Sequence, residues 1–343
     1  MKVAFVAPLS ISAVNGGVRT QAFKTAEFLT KLGVEITFIS PWEHVELDDF
    51  DIVHIFSAGA ETLNMAVTNH SKDTKLVVSP VFFSNRSASI IRKSIRGEWL
   101  LKKIGSGIRS DFTIKAEICR MADRLLPNTT EELQLVKDGF RIDSKKLAVV
   151  PNGVEERFAN STPDLFIKKY RMEDFVLFVG HASAPRKNVL GLLKGAHHLN
   201  KKLVIIGSFS NDAYGNECLN IAQNNNDILL IDTLEHDSEL LSSAYAACNT
   251  FVLPSYYETP GIAALEAALA GANIVITKFG GTTDYFKNFA EYLNPNSVES
   301  IYTAVNKASL KVKNSELKEH ILRNYTWEKV AEKTLTEYKK VLA

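Results

Sequence analysis

The residues best suited to chemistry fall in two stretches. The first begins with Val176-Leu177-Phe178-Val179, an apolar run that stops at Gly180 and gives way to the loop His181–Pro185, then Arg186-Lys187-Asn188 and a helix starting near Val189. Open α/β sheets bind ligands where a strand hands over to a helix, because the first N–H groups of that helix lack intrahelical partners and carry the positive end of its dipole. An Arg-Lys pair alone is most simply a surface pair. Placed after a buried strand, two cations form a phosphate site.

The second stretch is Pro254-Ser255-Tyr256-Tyr257-Glu258-Thr259-Pro260-Gly261-Ile262-Ala263-Ala264-Leu265-Glu266, again behind a buried strand. Proline suits the first turn of a helix, where its missing N–H would be unpaired anyway, so a helix is predicted from Pro260. That leaves Glu258 in the loop and Glu266 about two turns inside. Glu266 stands among Ala264, Leu265, Ala267, Ala268 and Leu269, where a carboxylate is costly unless hydrogen bonds reach it. The vicinal hydroxyls of a ribose or a pyranose would supply them.

The elements that must position these residues alternate along the chain, β-branched runs with amphipathic stretches, as in parallel sheets covered by helices. In the first half strands are predicted at Lys2–Ala7, Glu35–Ile39, Ile52–Phe56, Lys75–Ser79, Arg124–Pro127 and Leu147–Val150. A helix is predicted over Val18–Leu32, with Ala22, Ala26, Leu29 and Leu32 at helical spacing and Gly33 as its stop. A second series starts afresh at Phe175–Gly180 and continues through Leu203–Gly207, Ile228–Ile231, Thr250–Leu253, Asn273–Thr277 and Glu291–Leu293. Pro151-Asn152-Gly153 is a turn tripeptide between the two sets. The last segment, Thr326–Leu342, carries Trp327, Val330, Ala331, Leu335, Tyr338 and Val341 at helical spacing with no strand after it.

Length and composition suit this reading. The 343 residues accommodate two domains, and 45% hydrophobic with 23% charged residues is ordinary globular usage. A net charge of +1 gives no case for a nucleic-acid partner. Within it, the stretch from Arg86 to Arg109 sets Arg86, Arg92, Lys93, Arg96, Lys102, Lys103 and Arg109 against a single acid, Glu98, with Ile90, Ile91, Ile95, Trp99, Leu100, Leu101 and Ile104 interleaved. Two readings stand level: a solvated basic helix, or a surface for an anionic membrane or acceptor. Cys119, Cys218 and Cys248 form no C-x-x-C, which points to a reducing compartment and away from a thiolate metal site. Met1-Lys2 runs straight into a strand without a signal-peptide pattern, and no apolar run is long enough to span a bilayer, so a cytoplasmic location is expected.

Taken in order, Gly16-Gly17 with its following helix, Asp51-Ile52-Val53-His54, Pro151-Asn152-Gly153-Val154, Gly180 with Pro185-Arg186-Lys187-Asn188, the Glu258-x7-Glu266 pair, Gly280-Gly281 and the Trp327 helix resemble the GT-B glycosyltransferases of family 4 over nearly the whole chain. The resemblance implies an α/β fold of two Rossmann-like domains facing across a cleft: an acceptor-side domain of residues 1–153 plus 326–343, to which the last helix crosses back, and a donor-binding domain of residues 154–325. It implies retaining transfer, of hexosyltransferase type, from a UDP- or GDP-sugar to a glycan or lipid-linked acceptor in polysaccharide or glycoconjugate synthesis. No metal or other cofactor takes part in such a reaction.

Carried over position by position, Arg186 and Lys187 hold the donor diphosphate, Glu258 faces the donor sugar, and Glu266 grips the ribose. Gly180, Gly261 and Ile262 complete the donor side, and Gly16 and Gly17 form the glycine loop of the other domain. Lys187, Arg186 and Glu258 are the expected catalytic set. Fixed cations at the leaving diphosphate would do most of the work, since breaking the anomeric bond develops negative charge there.

The chain departs from that pattern in three places. Gly180-His181 stands where many members have Gly-Arg, and His181 is read as a loop residue. Ser79-Pro80-Val81-Phe82 lacks the usual histidine, and Thr259-Pro260-Gly261 replaces Gly-Phe-Gly. Asp49-Phe50-Asp51 has a metal-binding spacing but precedes a strand far from the diphosphate site, and is read as a solvated turn. His197-His198 has no third ligand in register. A nucleotide-sugar epimerase or hydrolase of the same fold and a non-catalytic nucleotide-sugar-binding protein are the alternatives. A dinucleotide-dependent oxidoreductase would need G-x-G-x-x-G, whose spacing Asn15-Gly16-Gly17-Val18 lacks.

Overall fold

The computed structural model describes residues 1–13, 16–103, 109–313 and 315–343, with backbone alone for 101–103. Asn15 and Ile104 lie outside the described residues, as do the side chains of Leu101, Lys102 and Lys103. The chain forms two compact units, Met1–Gly153 with Trp327–Ala343, and Val154–Thr326.

The first unit is a parallel sheet of β1 (Lys2–Val6), β2 (Glu35–Phe38), β3 (Ile52–Phe56), β4 (Lys75–Ser79) and β5 (Arg124–Leu125), in the order β2-β1-β3-β4-β5. Alternate side chains leave a strand on opposite faces, and the sheet has a core on each. Ala4, Val6, Val53, Ile55, Leu76 and Val78 point to one face. Their cover comes from α2 (Ala60–His70), α3 (Ala88–Lys103), α4 (Asp111–Met121) and α5 (Thr130–Phe140), through Ala66, Ile91, Cys119 and Phe140. Val3, Phe5, Ile52, Phe56 and Val77 point to the other face, against α1 (Gly17–Lys31) and the terminal helix Trp327–Leu342.

That terminal helix buries Trp327, Val330, Ala331, Thr334 and Tyr338 along one side. Tyr338 Oη lies 2.6 Å from His54 Nδ1, and His54 Nε2 lies 3.0 Å from Ser79 Oγ. Full burial pushes the His54 pKa down to about 3, so the ring is neutral. Gly153 lies against Trp327 so closely that a Cβ there would be 2.6 Å from the indole Cδ2 and 2.9 Å from the Trp327 Cα. The glycine of the turn tripeptide is therefore what lets the returning helix seat.

The second unit starts at Val154 with a short 3-10 turn, Glu156–Asn160, ahead of α6 (Asp164–Tyr170). Its parallel strands are β6 (Val176–Val179), β7 (Leu203–Ile206), β8 (Ile228–Ile231), β9 (Thr250–Leu253), β10 (Asn273–Thr277) and β11 (Glu291–Leu293), in the order β11-β10-β9-β6-β7-β8. Between them run α7 (Val189–Lys194), α8 (Ala213–Gln223), α9 (Glu239–Ala247), α10 (Ile262–Leu269) and α11 (Thr282–Phe286), followed by α12 (Val298–Ser309) and α13 (Glu316–Asn324). The terminal helix, α14, follows directly. Counted within the unit, this is the doubly wound order 3-2-1-4-5-6, whose switch point lies between β6 and β9. The first unit has the other common order, 2-1-3-4-5, with its switch point between β1 and β3.

Three expectations are corrected. Leu147–Val150 is not a strand: Ala148 and Val150 donate to the carbonyls of Leu125 and Pro127, but Pro127 has no N–H to return, and pairing shrinks to one bridge between Leu125 and Leu147. Leu32 lies beyond the end of α1 and is exposed. The third concerns Pro260, which is outside α10. Gly261, at φ +82°, is the cap, and Glu266 consequently sits one turn inside the helix, four residues after Ile262.

Candidate functional site

The donor-side residues gather at the switch point of the second sheet. Parallel pairing of β6 with β9, Val176 opposite Thr250 and Leu177 opposite Phe251, brings their carboxyl ends together. Beyond β6 the chain makes a single 3-10 turn, Pro185–Lys187, and a left-handed residue, Asn188, before α7. Asn188 Nδ2 donates to the carbonyl of Pro254 at 3.2 Å and to that of Pro295 at 2.8 Å, while Tyr256 N donates to the Arg186 carbonyl at 2.9 Å. These bonds lock the loop after β6 to the loop after β9. Gly207, at the end of β7, is the tight packing position: a Cβ there would lie 1.9 Å from the Gly180 carbonyl oxygen.

Lys187 and Arg186 converge on Glu258. Its Oε1 receives Lys187 Nζ at 2.6 Å, Arg186 Nη1 at 3.2 Å and Ser255 Oγ at 2.6 Å. Arg186 Nη1 also donates to the Tyr257 carbonyl at 2.9 Å, with the guanidinium over the Tyr257 ring. Glu258 is buried, which on its own would raise its pKa. The two cations beside it outweigh burial and hold the carboxyl below its usual value. Glu258 N donates to the Phe279 carbonyl at 3.0 Å, and a Cβ on Gly280 would lie 2.3 Å from the Glu258 carbonyl oxygen, so Gly280-Gly281 lets the loop after β10 close over Glu258.

Glu266 faces a different set of neighbours. Oε1 lies 2.7 Å from His236 Nε2, and Oε2 accepts from Tyr245 Oη at 2.8 Å. The protein itself therefore supplies one donor to each oxygen of the buried carboxylate, beside any that ligand hydroxyls would add. The bond to Glu266 raises the His236 pKa against the opposing effect of burial.

Gly16 and Gly17 belong to the first unit, where Gly16 caps α1 and Gly17 is its first residue, behind β1 at that sheet's own switch point. Added Cβ atoms at either position would meet nothing within 4 Å. The Ser79-Pro80-Val81-Phe82 loop leaves β4 through Val81 at φ +51°. Buried Glu132 accepts from Phe82 N and Asn128 N, each at 2.7 Å, and burial lifts its carboxyl to about 7 despite those bonds.

His181 and the pair His197-His198 are exposed loop and turn residues, and Asp51 accepts from Lys2 N at 2.7 Å. Among the described residues no group of three His, Cys, Asp or Glu side chains could hold a metal ion, and no helix is long and apolar enough to cross a membrane. In α3, Ile91 is buried and Glu98 turns onto the start of α4, accepting from Ser110 N at 2.9 Å. Arg86, Ile90, Lys93, Arg96, Trp99 and Leu100 remain exposed.

The sequence reading did not single out Asn188, Gly207, His236, Tyr245 or Ser255 as site residues. Asn188, next to Lys187 in the same motif, and Ser255, three residues before Glu258 in the same loop, carried a local signal.

Comparison with known proteins bears on the fold and on the family of the second unit. By structure, the whole chain has the GT-B fold, two parallel-sheet α/β units. A glycosyltransferase of Rickettsia africae superposes with a TM-score of 0.74 at 15% identity, covering 99% of this chain and 98% of that one. Anabaena HepE in complex with UDP and glucose superposes at 0.73 and 12% identity, covering 99% of this chain and all of the other. By sequence, residues 165–325, which hold every donor-side residue above, match the family model for glycosyl transferases group 1. An uncharacterized glycosyltransferase of Methanocaldococcus jannaschii is 26% identical over 181 residues, 49% of this chain and 45% of the relative. The chain spans about half the length of the curated relatives it matches first. Together these likenesses give the whole chain the GT-B fold and its second half a likeness to glycosyl transferases group 1.

Proposed function

We propose that this protein is a retaining, metal-independent glycosyltransferase of family 4 that moves a hexosyl group from a UDP- or GDP-sugar to a glycan or lipid-linked acceptor in polysaccharide or glycoconjugate synthesis. The observation that carries the reading is the meeting of Lys187 and Arg186 with buried Glu258 at the β6–β9 switch point. In the reaction the bond from the anomeric carbon to the diphosphate oxygen breaks with its electron pair going to that oxygen, a bond to an acceptor oxygen forms, and the acceptor's proton passes to the released diphosphate or to water. Negative charge builds on the leaving diphosphate. Two cations already fixed at one point can take it up without reorganising, which is how a site does without a divalent ion. Glu258 keeps both cations placed before the donor arrives, and Glu266 supplies a carboxylate for ribose hydroxyls. The UDP and glucose bound by HepE support a nucleotide-sugar donor.

The test is incubation of the purified protein with UDP- and GDP-sugars and candidate acceptors in chelator, following nucleoside diphosphate release and the anomeric configuration of the product by NMR. Inversion, or activity that only magnesium or manganese restores, would sink the corresponding part of the reading. Mass spectrometry of nucleotide sugar retained on purification identifies the donor.

We read the protein as cytoplasmic, with its three cysteines free and buried, and as touching an anionic membrane surface through 86–109. The single acid of that stretch is bonded to the start of α4, and Arg86, Lys93 and Arg96 are exposed along with Ile90, Trp99 and Leu100. Binding to phosphatidylglycerol vesicles but not phosphatidylcholine vesicles, lost on reversing Lys93 and Arg96 to Glu, is the expected result. Equal binding to both vesicles would refute the contact.

A further inference from the structure

A line of polar contacts leads from the surface of the second unit to Glu266. Arg157 Nε is 3.5 Å from Glu155 Oε1, and the same oxygen is 3.5 Å from His236 Nδ1. His236 Nε2 then meets Glu266 Oε1 at 2.7 Å, and Tyr245 meets the other oxygen of that carboxylate. The histidine is held in two further ways. Arg157 Nη2 donates to its backbone carbonyl, and the Phe158 ring stands edge-on to the imidazole with centroids 5.8 Å apart. It lies on the connection between β8 and α9, and its side chain keeps 48% of its exposure while that of Glu266 keeps 4%.

An ionised carboxylate offers about four acceptor positions. His236 and Tyr245 take one on each oxygen, which fixes the plane of the group and leaves one position on each oxygen for another donor. Two free positions in a fixed plane match the two hydroxyls of a vicinal diol. Tyr245 reaches Glu266 from within the core, so the rim side of the carboxylate is controlled by His236.

We propose that His236 is a positioning residue for the donor: together with Tyr245 it fixes the Glu266 carboxylate so that a nucleoside diphosphate is selected through its ribose 2′ and 3′ hydroxyls. This rests on the reading of Glu266 as the ribose carboxylate given above. Loss of the imidazole leaves Glu266 held at one oxygen only. The cost falls on the hydroxyls of the ligand and not on its diphosphate, which is bound by Arg186 and Lys187.

The test uses the full chain and calorimetric binding of UDP, with GDP in parallel, each compared with its 2′,3′-dideoxy counterpart. Wild type is expected to prefer the ribonucleotide. His236→Ala should reduce that preference about tenfold, the scale of one hydrogen bond to a charged group, with the dideoxy affinity unchanged. His236→Gln, whose amide can donate to Glu266, should restore most of it. An unchanged preference in His236→Ala, or equal weakening of both nucleotides, overturns the proposal. Glu266→Gln separates the two layers of the argument. If it abolishes the preference while His236→Ala does not, the role of His236 alone is wrong. If it leaves the preference intact, the ribose role of Glu266 fails and the role of His236 falls with it.

Discussion

Lys187→Ala puts the proposed chemistry at greatest risk. Lys187 Nζ lies 2.6 Å from Glu258 Oε1, a separation at which unit charges attract by about 6 kcal/mol gross at an effective dielectric of about 20. Dehydration of both ions offsets most of this, and about 1.5–3 kcal/mol remains, the usual net worth of a hydrogen bond to a charged group. Arg186 and Ser255 stay on the same oxygen in the variant, so Glu258 is not abandoned and folding should lose only about 1–2 kcal/mol. Turnover should lose more. A cation preset at the leaving group contributes about 3 kcal/mol to the transition state, and its removal lowers kcat about 100-fold or more. The assay is nucleoside diphosphate release at saturating donor, run beside a thermal melt of the same preparation. A folded variant whose kcat stays within about threefold of wild type would remove Lys187 from the leaving-group site. A variant that fails to fold would show that Arg186 and Ser255 do not hold Glu258 as argued.

Three further outcomes follow from single contacts. Glu266→Gln should raise the donor KM about tenfold while changing kcat little, because ribose contacts are equal in ground and transition states; an unchanged KM would contradict the ribose role. The folded-state pKa of His54 lies near 3, against an ordinary 6.5, so the unfolded chain takes up a proton that the folded one refuses. Its contribution to stability is complete above about 6.5 and is lost, by about 1.4 kcal/mol per pH unit, as pH falls toward 3. Urea midpoints should therefore fall more steeply with acid in wild type than in His54→Gln, and equal slopes would refute the assignment. Gly153→Ala forces a Cβ against the Trp327 Cα at 2.9 Å, where no side-chain rotation can help, and should cost about 1–3 kcal/mol in urea unfolding. An unmoved midpoint would mean that the terminal helix has slack at that point.

What was legible in the sequence follows from how local each signal is. The bounds of β3, β4, β9 and β10 coincide with the predicted runs, because buried stretches rich in β-branched residues end abruptly at polar or turn residues; those of the edge strands β8 and β11 coincide as well. Leu147–Val150 has the same composition and is not a strand, since its pairing depends on whether the neighbouring segment can donate, and Pro127 cannot. Pro260 misled for a related reason. Its fixed φ suits a first helical turn, but Gly261 at φ +82° is the residue that starts α10, and no local propensity says which of two adjacent helix-starting residues will serve.

The site itself was legible as residues and not as a meeting. Lys187 and Glu258 are 71 positions apart, and what joins them is the order of strands, which no single segment encodes. Placing β9 beside β6 makes the second unit a doubly wound sheet, puts its switch point under Gly180, and obliges the loops after both strands to share one volume. That crowding explains roles that residue type and spacing alone do not give. Asn188 must bond across to Pro254, Gly207 must be a glycine because the Gly180 carbonyl fills the place of its Cβ, and Gly280 because the Glu258 carbonyl does the same. His236 has no motif at all. It becomes readable only once the connection from β8 to α9 is seen to run beside Glu266, between that carboxylate and Glu155. The cations and carboxylates can thus be named from sequence by type and spacing, whereas the groups that aim them are set by strand order and by where one backbone presses on another.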